Sequence, residues 1–199
     1  MDRDLDEAFQ DVRRAYRLIA AYQRRALDIV DELVRQFEKF QFYYWSPVQF
    51  APPPRRSSDP VGRWAWDGLP YYCFSCLYLP VGAKLNEPKK GEWRLKINID
   101  ADTGYSAGDD EPDPTKFRDV TECESLLRLY GWRCEADDNV GDWYYGLWDV
   151  DDWPKTEGVL QPVEKGNYSV GFQAHRLSEI TSENDLPGIA RSFSKMMES

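Results

Sequence analysis

The first forty residues constrain the fold more than any other part of the chain. Positions 5, 9, 12, 16, 19, 23, 26, 30, 33, 37 and 40 keep an unbroken 4-3 spacing and hold Leu5, Phe9, Val12, Tyr16, Ile19, Gln23, Ala26, Val30, Leu33, Phe37 and Phe40. Residues three and four apart lie one above the other on an α-helix, so this spacing draws a single apolar stripe along one face. No Pro or Gly breaks it, Asp4 with Glu7 three residues on offers a capping box, and Pro47 bounds the far end. The expected helix covers about 4–41. At 1.5 Å per residue it would run roughly 57 Å, longer than a compact domain of this size.

What flanks the stripe decides what it packs on. With Leu5 at heptad position d, Ala8, Ala15, Tyr22 and Ile29 fall at g and Ala20, Leu27 and Val34 at e, while Arg14, Arg17, Arg24, Asp28, Asp31, Glu32 and Arg35 take the outer face. The stripe is therefore wider than a two-stranded seam needs, and a simple parallel dimer with charged e/g pairs does not fit. Two uses stay open: packing on the chain's own sheet and packing on a partner subunit. A homodimer is expected through this element, with Val12, Ile19, Gln23, Val30 and Leu33 as oligomerisation residues. Gln23 has the look of a register-setting polar residue, or of one facing a solvated gap. Residues 1–41 are thus read as a long amphipathic, coiled-coil-like helix and 42–199 as an α+β domain.

Beyond residue 41 the period changes from helical to strand-like. Segments 41–50, 71–81, 93–99, 143–150 and 168–176 are rich in aromatic and β-branched residues and bounded by Gly, Pro, Asn or Asp. Lys96-Ile97-Asn98-Ile99-Asp100 alternates, predicting one dry face and one wet face. Two shorter helices are expected: 121–130, capped by Thr121 with Glu124 and stopped by Gly131, and 185–197, with Pro187 in its first turn. The fold class is α+β, a long N-terminal helix packed on a mainly antiparallel sheet with two shorter helices.

Charge narrows the partners. The 35 Asp/Glu against 25 Lys/Arg leave a net −10, yet residues 1–66 carry +1 and residues 100–157 carry −12, so the acidity is regional. Such a field repels phosphate backbones and attracts cationic protein surfaces. Nucleic acid is not an expected partner. The longest nearly apolar run, 71–81, is about half of the ~20 residues that span a bilayer, and the N-terminus lacks a basic, apolar leader, so no membrane partner and a cytoplasmic location are expected. With 29 aromatic residues the chain is too apolar for disorder; the Pro-rich 52–60 and the Asp/Gly/Pro-rich 100–115 read as exposed loops.

Three constellations are candidates for chemistry. Cys73-Phe74-Ser75-Cys76 has CxxC spacing but lies in a strand-like run, where residues i and i+3 face opposite sides; with Cys123 and Cys134 far apart and His175 alone, ordinary thiols are expected. No nucleophile elbow, P-loop or Gly-x-Gly-x-x-Gly occurs, so no catalytic residue is assigned and no cofactor is expected. Asp100, Asp102 and Glu111 share positions 1, 3 and 12 of a calcium loop, but Gly104 and Tyr105 spoil the pattern; a solvated acidic turn without metal is expected. The third is the segment 142–153, where Trp143, Trp148, Asp149, Asp151, Asp152 and Trp153 set rings beside carboxylates. That mixture suits a basic protein surface, since Arg stacks on rings and pairs with Asp. A sugar platform and simple burial are the competing uses. The expected function is a non-catalytic protein-interaction protein, such as an inhibitor, immunity protein, nucleic-acid mimic or accessory subunit, that binds a basic partner through the acidic aromatic segment 100–157. The alternative is a metal-assisted hydrolase built on carboxylates of the same segment.

Overall fold

A computed structural model describes residues 2–48, 72–104, 117–137, 153–163 and 167–199, with side chains described from residue 5. Helix α1 (Asp2–Arg35) is followed by β1 (Phe40–Pro47), β2 (Cys73–Pro80), β3 (Trp93–Asp100), β4 (Leu126–Cys134), β5 (Gln161–Pro162), β6 (Tyr168–Arg176) and α2 (Leu186–Met197). The strands form one sheet in the order β1-β2-β3-β4-β6-β5. Every pairing is antiparallel. The architecture is the expected α+β class, a long N-terminal helix with an antiparallel sheet and a short C-terminal helix.

Both helices lie on one face of the sheet. Alternation sends Phe74, Cys76, Tyr78, Leu95, Ile97, Ile99, Leu127 and Leu129 to that face, where they meet Ala26, Ile29, Val30 and Leu33 of α1 and Leu186, Ala190, Phe193, Met196 and Met197 of α2. Gly131 and Gly171 pair across β4 and β6. A Cβ on Gly131 would stand 2.4 Å from Met197 Sδ, and one on Gly171 2.7 Å from Met196 Cε, so the glycine pair gives α2 a flat seat close to the sheet. At the start of α2, the Asp185 carboxylate accepts the backbone N–H groups of Thr181 at 3.0 Å and Ser182 at 2.9 Å, and Pro187 occupies the first turn.

Three local expectations change. The helix stops at Arg35, not near 41: Gln36 and Phe37 donate to carbonyls three residues back, and the chain turns into β1 at Phe40. The cause is an aromatic cluster, with the Phe37 ring 6.1 Å from Phe40, 6.1 Å from Trp93 and 6.3 Å from Phe193. The segment 121–130 is not a helix. Only the 3-10 turn Val120–Glu122 forms, capped by Asp119 accepting Thr121 N–H at 2.9 Å, and Leu126 onward is β4. Leu127 and Leu129 fit the helix-covered face and Arg128, Tyr130 and Trp132 the other, so sheet pairing on both sides overrides the helix propensity of Leu-Leu-Arg-Leu. Finally, the face of β3 expected to be wet is buried: Arg94, Lys96, Asn98 and Asp100 are all at most 6% exposed. The expected strand 143–150 lies outside the described residues, as do the expected loop 52–60 and residues 105–115 of the acidic loop.

Candidate functional site

Helix α1 is two different objects along its length. At 1.5 Å per residue its 34 residues span about 51 Å, and only the second half rests on the sheet. Ala26, Ile29, Val30 and Leu33 are 0–3% exposed. All residues from 5 to 21 are exposed, including the apolar stripe Leu5 (59%), Phe9 (52%), Val12 (49%), Tyr16 (69%) and Ile19 (36%). The change falls at Tyr22 and Gln23, both half-buried. Tyr22 Oη is buried without a hydrogen-bond partner, and burial, helped by the Asp100 carboxylate, raises the phenol above its ordinary range.

Of the expected oligomerisation residues, Val12 and Ile19 therefore lie on the free stripe, Val30 and Leu33 in the core, and Gln23 at the boundary between them. Charge along the projecting half is sorted. Asp6, Glu7 and Asp11 precede Arg13, Arg14 and Arg17 there, and beyond the boundary follow Arg24, paired with Asp28, and Arg25, which donates to the Ile180 carbonyl, with no acidic residue between 12 and 27. Carboxylates near a helix N-terminus complement its macrodipole, but that effect fades within a turn and does not account for five arginines in mid-helix.

Beside the second half of α1, a groove of about 260 Å³ is lined by Leu27, Val30, Asp31, Phe42, Trp45, Phe74, Cys76 and Tyr78. Two of its lining rings, Phe42 and Trp45 of β1, are exposed.

The sheet face turned away from the helices carries a buried charged strip. Arg128 pairs with Asp100 on the neighbouring strand, and Cys73 Sγ donates to Asp100 Oδ1 at 2.7 Å. Burial pushes the Cys73 thiol up, and the Asp100 charge adds to the effect. The Arg94 guanidinium sits 4.2 Å from the centre of the Trp132 ring, and Lys96 Nζ 4.9 Å from that of Trp153. Lys96 is brought down to about 8, chiefly by burial and then by the neighbouring Arg94 charge. An amine in that range is partly neutral near pH 8 and has the chemistry of a base or nucleophile. This strip was missed in the sequence because alternating polar residues on a strand read as solvent-facing. The available signal was a Trp and a Tyr, Trp132 and Tyr130, which stand opposite Arg94 and Lys96 on β4.

Of the residues expected to bind a partner, Trp153 is described, and it lies against Tyr130 and Trp132 at 5.3 and 5.8 Å between ring centres while staying 50% exposed. Trp143, Trp148, Asp149, Asp151 and Asp152 lie outside the described residues, as does Glu111. Asp102, the other weak metal candidate, accepts Gly104 N–H at 2.7 Å through Oδ1, and Asp100 is engaged by Arg128 and Cys73. Among the described residues no three His, Cys, Asp or Glu side chains converge as a metal site. Cys73 and Cys76 face opposite sides of β2, and burial pushes the Cys76 thiol up to about 11. His175 is lowered by burial, against the opposing charges of Glu157 and Glu179. No helix among the described residues is long and apolar enough to cross a membrane.

No solved structure matches the chain. It is 26% identical over 162 residues to the uncharacterized protein PM0109 of Pasteurella multocida (strain Pm70), an alignment covering 78% of this chain and 74% of that protein. The profile of the PM0109 family matches residues 2–198, nearly the whole length, and the chain belongs to that family.

Proposed function

We propose that the protein is a non-catalytic protein-interaction protein whose docking element is the projecting half of α1. One observation carries the reading: five apolar side chains keep helical register over residues 5–19 and all five are exposed, with none in the core formed by the described residues. A contiguous apolar stripe of this kind, rimmed by charge, is the surface that protein partners bury. A photo-crosslinking residue at Tyr16 or Phe9 should give a covalent adduct heavier than the chain, whereas one at Leu18, 72% exposed on the opposite side of the helix, should not. Equal yields at 16 and 18, or none at either, would remove this reading.

A second docking face has its own support. The net −12 over residues 100–157 is self-repelling unless dispersed in solvent or met by cations, and Trp153 holds a half-exposed ring in the same segment. A basic protein partner fits it, as for an inhibitor, immunity protein, nucleic-acid mimic or accessory subunit acting in the cytoplasm, where thiols such as the four free ones here stay reduced. The double variant Asp149→Lys with Asp151→Lys should lose that partner without loss of fold. A metal-assisted hydrolase on Asp100 and Asp102 is disfavoured, since both carboxylates already hold protein donors.

A further inference from the structure

We infer that the occupant of the α1 stripe is a second copy of this chain, laid antiparallel so that the acidic start of one helix lies against the arginine-rich stretch of the other. The inference rests on the reading of α1 as a docking element and adds what it docks and in which direction.

Charge supplies the direction. Only Asp6 and Arg13 flank the stripe, while Glu7, Asp11, Arg14 and Arg17 stand on its outer face, and a parallel pair gives the two flanking charges no opposite partner, since Arg13 at e would meet Ala8 at g. An antiparallel pair sets Asp6 against the partner's Arg13 twice over, as two-fold symmetry requires, with the outer-face charges of each half adding the same sign of long-range field. The spacing supplies a register. Leu5 against the partner's Tyr16 and Phe9 against the partner's Val12 are each repeated with roles exchanged, so the four layers between residues 5 and 16 are apolar. In that register Asp6 faces the partner's Arg13 along one flank. Along the other, Ala8 faces the partner's Ala15, two small residues that let the backbones approach.

The fold supplies the limit. The overlap ends near Ile19, one turn before Tyr22, where α1 meets its own sheet, so pairing displaces nothing in the core. A basic foreign helix would find only the acidic first part of the stripe, and an acidic one only the arginine part.

Sedimentation equilibrium of the full chain across the micromolar range should show a mass of twice 23.2 kDa at the upper end. Under oxidation, Leu5→Cys mixed with Tyr16→Cys should form an interchain disulfide that neither variant forms alone; both positions are exposed, so the fold is retained. Asp6→Arg should weaken association several-fold, and adding Arg13→Asp in the same chain should restore it. A disulfide from Leu5→Cys alone would overturn the antiparallel arrangement. A monomer at every concentration, with the residue-16 probe captured on a different protein, would overturn the second copy but leave the docking reading standing. A monomer with no adduct at all would remove both.

Discussion

Residues 5–21 and 22–35 of α1 carry the same 4-3 apolar spacing, yet every residue of the first stretch is exposed while Ala26, Ile29, Val30 and Leu33 of the second are at most 3% exposed. Their outer faces both carry ion pairs within the helix: Asp11 with Arg14, three residues apart, in one, and Asp31 and Glu32 with Arg35, four and three residues apart, in the other. Exposed pairs of this kind contribute little to stability, so they do not explain why the two stretches differ. The difference lies in what stands opposite. The sheet supplies Phe74, Leu95, Ile97 and Ile99 to the second half and ends before it reaches the first. An amphipathic helix is thus a statement about something facing it, and its length can exceed what its own chain provides.

The sharpest way to break this comparison is to put the same charge into each half. Val30→Asp should unfold the protein or remove at least about 3 kcal/mol, because a buried carboxylate has no partner there. Ile19→Asp should leave the far-UV circular dichroism unchanged and, at a protein concentration low enough to prevent association, shift the unfolding free energy by no more than about 0.5 kcal/mol. Equal losses would mean that the projecting half is covered by its own chain.

Next in size is truncation. Leu33→Ala should lose about 2–5 kcal/mol in urea unfolding, as for a fully buried leucine, and Phe9→Ala should stay within about 0.5 kcal/mol under the same dilute conditions.

The contrast between solvated and buried charge extends to the sheet, where Lys96 can be set against the exposed arginines of α1. Folded, its amine loses the proton at about 8; unfolded, at its ordinary 10.5. Between those values the unfolded chain binds more protons, so this group makes stability rise with pH through that window, and its penalty is fully present below it. Lys96→Met should accordingly gain about 1–3 kcal/mol at pH 7, with the gain fading towards pH 10.5. The difference between variant and parent is the quantity to follow, because Cys73 and Tyr22, both raised by burial, make the parent less stable at alkaline pH. Arg14→Met, on the exposed half, should show no such pH-dependent gain.

The smallest effect belongs to the boundary itself. Tyr22→Phe removes a buried hydroxyl that has no partner and should be neutral or stabilising by up to about 1 kcal/mol in thermal unfolding. A clear loss would show that the hydroxyl is satisfied where the two halves meet.

How much of this was legible follows from the range of each interaction. The apolar period of α1, the strands β1, β2, β3 and β6, and α2 with Pro187 in its first turn were readable, because each depends on neighbours within a turn or two of chain. β4 was misread because Leu126 to Tyr130 is locally helical in propensity, and only the ladders to β3 and β6 make it a strand. Gly131, taken for a helix stop, turns out to make room for Met197, a residue 66 positions away.

The long amphipathic helix, the line of its apolar stripe and the sorting of its charges are all written in the order of residues, since these follow from a 3.6-residue period and need no partner. Where that stripe divides into core and exposed surface, and that Lys96 and Asp100 lie on a dry face rather than a wet one, emerges from the packing of sheet and helices. The physical reason is common to both: burial is a property of two surfaces that meet, and one strand of sequence encodes only its own side of the contact.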